Sequence, residues 1–378
     1  MRSNYSQIGK YIRQVKVKNT DGSVSVLRGV SIEKFYMPSV ANINGVDLKK
    51  YKVVSPGQFA FNPMHVGRDK VLPISLLKSD QPVIVSPAYT VFEIINDEVS
   101  AEYLMMWFSR PEFDRNAWFK TDGNVRGGLS WDDFCEIELP VISPADQKKI
   151  VNEYDTIIKR ISLKRELNQK AEKAVHTLFT KYFKTEESEG SLPVSTYVDF
   201  GPTYNIPKLQ EVTRIDMADV QESAYAVKAT RKTAPFSGTK IMNGDTLLAR
   251  ITPCLENGKT AFVDILKENE VAVGSTEFIV MKPKPDTSPY WVYCLARDEE
   301  FRLNAISSMV GSTGRQRADV DYLKNYLVPP VNEVLMNEFH DKAHRLFGTM
   351  KKNSTEVKLL LQLRDILLAR ISKLEYVS

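Results

Sequence analysis

Apolar positions along the chain fall into two regimes. In the first, runs of two to six residues at 51–54, 59–61, 83–85 and 89–94 are separated by Pro, Gly, Asn and Asp, a pattern that predicts short strands and turns. The same regime returns at 246–248, 260–263, 271–273 and 278–281. Each block ends in a helical stretch, about 101–116 and about 288–306, followed by a glycine-bearing loop at 122–128 and at 311–317.

The second regime is a sustained 4-3 spacing over about 144–184 and about 332–375. In the first stretch the seam positions are Ile150, Tyr154, Ile157, Ile161, Lys164, Asn168, Ala171, Val175, Leu178 and Tyr182. In the second they are Phe339, Ala343, Leu346, Met350, Asn353, Val357, Leu360, Arg364, Leu367 and Ile371. Periodicity held over more than four heptads predicts a coiled-coil seam. Forty helical residues span about 60 Å, more than a compact domain needs.

The two blocks are one unit used twice. Displacing the sequence by 187 to 189 residues aligns Pro56-Gly57-Gln58 with Asn243-Gly244-Asp245, and the strand at 83–92 with that at 272–281. Tyr103 to Arg110 then meets Tyr290 to Arg297, and Leu139-Pro140 meets Val328-Pro329. Four landmarks in order at a near-constant offset indicate duplication. The expected fold is α+β: two similar β-rich domains held apart by two long antiparallel coiled-coil helices about a pseudo-two-fold axis. The expected boundaries are 1–142, 143–184, 185–331 and 332–378, with the apolar-free stretch at 184–190 as linker. Lys164, Asn168 and Asn353 fall near mid-seam, where a polar group can fix register, or they face solvent.

Composition narrows the function class. The chain has 378 residues, 43% hydrophobic and 26% charged, so either half can bury a core. Lys and Arg number 51 against 47 Asp and Glu, and a net +4 permits a nucleic-acid partner without requiring one. Cys135, Cys254 and Cys294 are odd in number and far apart, which argues against a disulfide framework or a zinc knuckle and for a reducing compartment. No apolar run approaches the length of a membrane span, so a soluble cytoplasmic chain is expected.

Catalytic signatures are missing. There is no GxxxxGK[ST] loop, no GxGxxG after a strand and no GxSxG elbow. Asn62-Pro63-Met64 lacks the second proline and the aromatic residue that hold a flipped base in amino-methyltransferases. His340 and His344 stand at i, i+4 without an obvious third metal ligand. No catalytic residue, metal or cofactor is expected.

Basic residues interleave with aromatics in the β-rich blocks. Lys16, Lys18, Arg28, Arg110, Lys120 and Arg126 in the first, and Lys240, Arg250, Arg315, Gln316 and Arg317 in the second, are the candidate DNA-binding residues. In Thr313-Gly314-Arg315-Gln316-Arg317, glycine lets backbone approach a phosphate while Arg and Gln offer paired donors; the same segment also reads as a turn before the next strand.

The stretches at 29–63, 85–94, 102–119 and 130–157 resemble the specificity subunit of type I restriction-modification enzymes. Leu139-Pro140 followed by Pro144-Ala145-Asp146-Gln147 matches the family's helix start, whereas the second copy, Val331-Asn332-Glu333-Val334-Leu335, has no glutamine. The resemblance implies two target recognition domains, each reading one half of a split, asymmetric double-stranded DNA sequence. It also implies helices that act as a ruler, two modification (methyltransferase) subunits docked on them, and restriction subunits joining that core. Catalysis would then belong to the partners. A type IIB-like recognition chain and a coiled-coil scaffold carrying two protein-binding β domains are the alternatives.

Overall fold

A computed structural model describes residues 5–39, 45–121, 128–184, 190–206, 211–228, 231–234, 237–312 and 314–371. Its contacts divide into two units, Met1–Ile161 with Leu359–Ser378, and Ser162–Lys358. Each long helix is therefore shared between the units.

The first unit begins with strands β1 (Tyr5–Gln7), β2 (Ile12–Val15), β3 (Arg28–Val30), β4 (Tyr36–Pro38), β5 (Lys52–Val54) and β6 (Phe59–Phe61). A short helix α1 (Val66–Asp69) leads to β7 (Ile74–Leu76), β8 (Val83–Val85) and β9 (Thr90–Ile94). Helices α2 (Ala101–Phe108), α3 (Pro111–Phe119) and α4 (Trp131–Cys135) follow, then β10 (Glu138–Pro140) and the long α5 (Pro144–Phe183). The main sheet has the order β2-β9-β6-β7, antiparallel throughout. Alternation along β6 sends Phe59 and Phe61 into the larger core with Phe92, Phe108 and Phe134. Ala60, between them, faces a second core with Val54, Val83, Val85 and Val91. Both faces of the sheet are thus covered, which is why the run Phe59-Ala60-Phe61 is apolar throughout.

The second unit repeats this plan with β11 (Leu192–Pro193), β12 (Val198–Phe200), β13 (Val212–Ile215), β14 (Arg231–Thr233), β15 (Thr239–Ile241), β16 (Thr246–Ala249), β17 (Thr260–Phe262), β18 (Ala272–Gly274) and β19 (Phe278–Pro283). Helices α6 (Pro289–Arg297), α7 (Glu299–Ser307) and α8 (Val320–Lys324) precede β20 (Leu327–Val328) and the long α9 (Glu333–Ile371). Its main sheet, β12-β19-β16-β17, is the repeat-equivalent of β2-β9-β6-β7. The pair β1·β10 answers β11·β20, and β5·β8 answers β15·β18. The tight turns before β6 and β16 are built alike, with Gly57 at φ 83° and Gly244 at φ 91°, a backbone region that glycine enters without steric cost. The hairpin β3·β4 lies beside β8 through a parallel bridge between Leu27 and Ile84, as β13·β14 lies beside β18 through a parallel ladder; the units differ here in the extent of that pairing.

Each expected short helix is in fact two. The residue before Pro111 is pushed out of the helical region, and Arg110 sits at φ −85°, ψ 139°. In the second unit Asp298 breaks the run at φ −64°, ψ 137°, and its carboxylate caps α7 by accepting the Phe301 N–H.

The seam lies inside each unit. In the first, Val151 of α5 shares a core with Leu368 and Ile371 of α9, and Ile150 and Tyr154 pack against it. In the second, Val175 and Phe179 of α5 share a core with Phe339, Ala343 and Met350, with Ala171, Leu178 and Leu346 packed alongside. Ile157, Ile161 and Leu367 are buried, and Val357 and Leu360 are half-buried. The helices run antiparallel in the second unit, since Lys164 meets Asn353 while Phe179, further along α5, meets Phe339, further back on α9. No helix among the described residues is long and apolar enough to cross a membrane.

Candidate nucleic-acid interface and helix starts

In the first unit the chain leaving β2 carries Lys16 and Lys18, both exposed. Lys18 pairs across with Lys52 at the start of β5. Burial, and then the charges of Lys16 and Lys18, push the Lys52 ammonium below the ordinary lysine range. Three lysines on two neighbouring segments make a local concentration of positive charge. Lys52 was not among the sequence candidates; its signal was the string Lys49-Lys50-Tyr51-Lys52, three lysines in four residues at the start of a strand.

The other candidates of this unit are less accessible. Arg28 is half-buried on β3. Lys120 is held 2.7 Å from Glu136. Arg110 requires correction: its side chain is only 5% exposed, with the guanidinium 4.0 Å over the Trp107 ring and 3.5 Å from Glu112. Burial lowers its affinity for a proton, and an interior cation stacked on tryptophan cannot reach a phosphate. Arg126 lies outside the described residues.

In the second unit Arg250 and Arg317 converge on Glu277. Arg317 grips the carboxylate with two nitrogens, Nη2 to Oε1 at 2.6 Å and Nε to Oε2 at 2.9 Å. This charged hydrogen bond, reinforced by Arg250, holds Glu277 below the usual carboxylate range. The loop is pinned as well: Arg317 bridges Ile251 and Val310, and the Thr252 N–H donates to the Gln316 carbonyl at 3.0 Å. Gln316 is half-buried, while Arg315 is exposed, one residue past Gly314 at φ 83°. Lys240 is half-buried on β15. Elsewhere in this unit Lys282, Lys284 and Lys324 line an open cleft of about 500 Å³ with Ser195, Asp199 and Gly201. Lys324 lies 40 residues beyond Lys284 in sequence, so only the folded chain brings it beside Lys282 and Lys284.

His340 and His344 serve packing. Their Nδ1 atoms lie 3.1 Å from the Ser288 hydroxyl and 2.7 Å from the Tyr290 hydroxyl. Among the described residues no group of three His, Cys, Asp or Glu side chains is placed to hold a metal.

The helix-start motif acquires a physical meaning. Gln147 is 1% exposed. Its amide oxygen accepts the Ser100 N–H at 2.9 Å, and its amide nitrogen donates to the carbonyls of Glu98 at 2.6 Å and Ile142 at 2.9 Å. One side chain thereby ties the start of α5 to the start of α2. At the equivalent position of the second copy stands Met336, buried in the core, and Asn332 caps α9 by accepting the Val334 N–H at 2.8 Å.

Comparison with known proteins points one way. The chain is 35% identical over 92 residues to the EcoAI specificity subunit of Escherichia coli (24% of this chain, 15% of that protein). It is 33% identical over 116 residues to the EcoEI specificity subunit of Escherichia coli (30% and 18%). It is 24% identical over 318 residues to the MjaIX specificity subunit of Methanocaldococcus jannaschii (74% and 69%). All three are specificity subunits of type I restriction enzymes. The chain is similar to type I specificity subunits. The fold agrees: the S subunit of the M. genitalium type I restriction-modification system superposes with a TM-score of 0.54 at 12% identity, covering 97% of this chain and 95% of that one. The matched stretches span well under two thirds of the EcoAI and EcoEI specificity subunits. No family model matches the chain.

Proposed function

We propose that this chain is the non-catalytic, sequence-specific DNA-binding subunit of a type I restriction-modification complex. In this reading two target recognition domains, 1–142 and 185–331, each contact one half of a bipartite, asymmetric duplex target. The helices at 143–184 and 332–378 set the spacing and dock two modification subunits, and restriction subunits complete a cytoplasmic assembly. The observation that carries the reading is the repeated sheet, β2-β9-β6-β7 answered by β12-β19-β16-β17, joined in each unit to a peripheral hairpin, β3·β4 or β13·β14, of different sequence. A conserved frame with differing peripheral strands suits two different half-sites read by one plan. Exposed Lys16, Lys18 and Arg315, with Lys52 beside the first two, supply phosphate contacts without the need for base chemistry.

The test is to co-purify the chain with its methyltransferase partner and map methylated adenines in exposed DNA. A bipartite, asymmetric methylated sequence is expected. Methylation without sequence preference, or a chain that binds partner proteins but shows no salt-sensitive duplex binding, would favour a scaffold instead.

A further inference from the structure

A polar layer interrupts the apolar seam where α5 and α9 meet in the second unit. Lys164 Nζ donates to Asn353 Oδ1 at 3.0 Å and lies 2.9 Å from Glu356. Asn353, 6% exposed, donates to Asn168 Oδ1 at 2.9 Å. Asn168 in turn donates to the Ser354 hydroxyl at 3.1 Å and to the Met350 carbonyl at 3.2 Å. The layer is satisfied only by groups drawn from both helices.

Its position in the repeat is the informative part. Lys164 and Asn353 are 189 residues apart, the offset that relates one helix to the other. At this layer each helix meets its own repeat-equivalent position, so the two equivalent residues, lysine and asparagine, are set face to face. Had α5 paired with the α5 of a second copy in the same way, two Lys164 ammonium groups would oppose each other, with Leu167 in place of Glu356. Had α9 paired with α9, Asn353 would face a second Asn353, and Val357 would stand where Asn168 now accepts its hydrogen bond. Pairing α5 with α5 opposes two ammonium groups, and pairing α9 with α9 keeps an Asn353–Asn353 contact but loses the Lys164–Glu356 ion pair and the Asn168 acceptor, which disfavours both relative to the observed pair.

We propose that Lys164, Asn168 and Asn353 form a selectivity layer that makes the seam heterotypic, directing α5 to α9 of the same chain and to a single register. Apolar seams of Leu, Ile and Phe slide and exchange more readily, and buried polar residues are the best-attested device against this. The inference concerns helix pairing alone and stands whether or not the chain reads DNA.

The test uses the full-length chain with the half-buried Cys135 and Cys254 changed to Ser and spin labels at Thr177→Cys and Thr349→Cys, exposed positions on the two helices. The otherwise native chain should give one narrow distance. The triple change Lys164→Leu, Asn168→Leu, Asn353→Leu should retain or raise the melting temperature yet add a second population displaced along the axis by about 10 Å, one heptad, with dimers in light scattering. A second variant guards against misfolding: Asn353→Lys should lower the melting temperature by setting two ammonium groups together, and adding Lys164→Glu should restore it. The proposal is overturned if the apolar triple variant keeps the native distance and mass. It is also overturned if Asn353→Lys is tolerated without loss.

Discussion

The side-chain oxygen of Gln147 accepts the backbone N–H of Ser100 at 2.9 Å, joining the first turn of α5 to the cap of α2. Replacing Gln147 by Ala would leave that N–H and the carbonyls of Glu98 and Ile142 without their partner in the interior. A loss of about 1–3 kcal/mol is expected in urea unfolding. Gln147→Met, which copies the second unit's Met336, should be less damaging in volume but should not recover the hydrogen bonds. Equal stability of all three proteins would contradict the tie.

Arg110 and Arg315 should behave in opposite ways. Arg315→Ala should leave stability unchanged and reduce the slope of log affinity against log salt by about 1 for duplex binding by the complex with its methyltransferase partner. The same holds for Lys16→Ala and Lys18→Ala. Arg110→Ala should spare the salt slope but lower stability, because the Trp107 face loses its stacked guanidinium. A changed salt slope with intact stability in Arg110→Ala would return it to the DNA surface.

Arg317 tests the pinned loop. Removing it with Arg317→Ala leaves Glu277 without its bidentate partner, so the Glu277 carboxyl should titrate upward toward ordinary values. Carboxyl carbon shifts followed by NMR against pH would register the change, and adding Glu277→Gln should relieve part of the loss of stability.

Asp245 predicts a pH dependence. It is 1% exposed. It accepts the Tyr204 hydroxyl at 2.8 Å and the Met242 N–H at 2.8 Å, yet burial raises its pKa to about 6. The folded state therefore holds a proton that the unfolded chain releases near pH 4. Stability from this group is complete below about pH 4 and is lost as pH rises through about 6, a decline of about 3 kcal/mol. Asp245→Asn should flatten the urea midpoint between pH 4 and 7, at the loss of one good acceptor at pH 4. An unaltered decline in the variant would show that another group is responsible.

Charge at the seam should disrupt it. Ile157→Asp places a carboxylate at a position that is 9% exposed. A loss of about 3 kcal/mol or more is expected, together with failure to co-purify with modification subunits. Normal stability and assembly would mean that Ile157 does not contribute to the seam.

The duplication was readable because strands and heptads leave periodic traces that depend only on neighbouring residues. Phe59-Ala60-Phe61 and its counterpart Thr246-Leu247-Leu248 carry the same turn, the same run and the same offset, and the sheet order follows suit. The α+β class and the paired long helices were legible for the same reason. Side-chain accessibility was not. Arg110 looks like a surface cation in any local window, and only Pro111 at the start of α3 and the Trp107 face reveal that it turns inward. Lys52 joins Lys16 and Lys18, and Lys282 joins Lys324, through strand pairing and packing that no spacing rule encodes. The sequence by itself determined the period of each element and the repetition of the unit, because these are set by near neighbours. Tertiary structure alone decided which charges meet water and which meet partners. That choice depends on distant segments arriving at one place, as when Lys164 finds Asn353 across the seam.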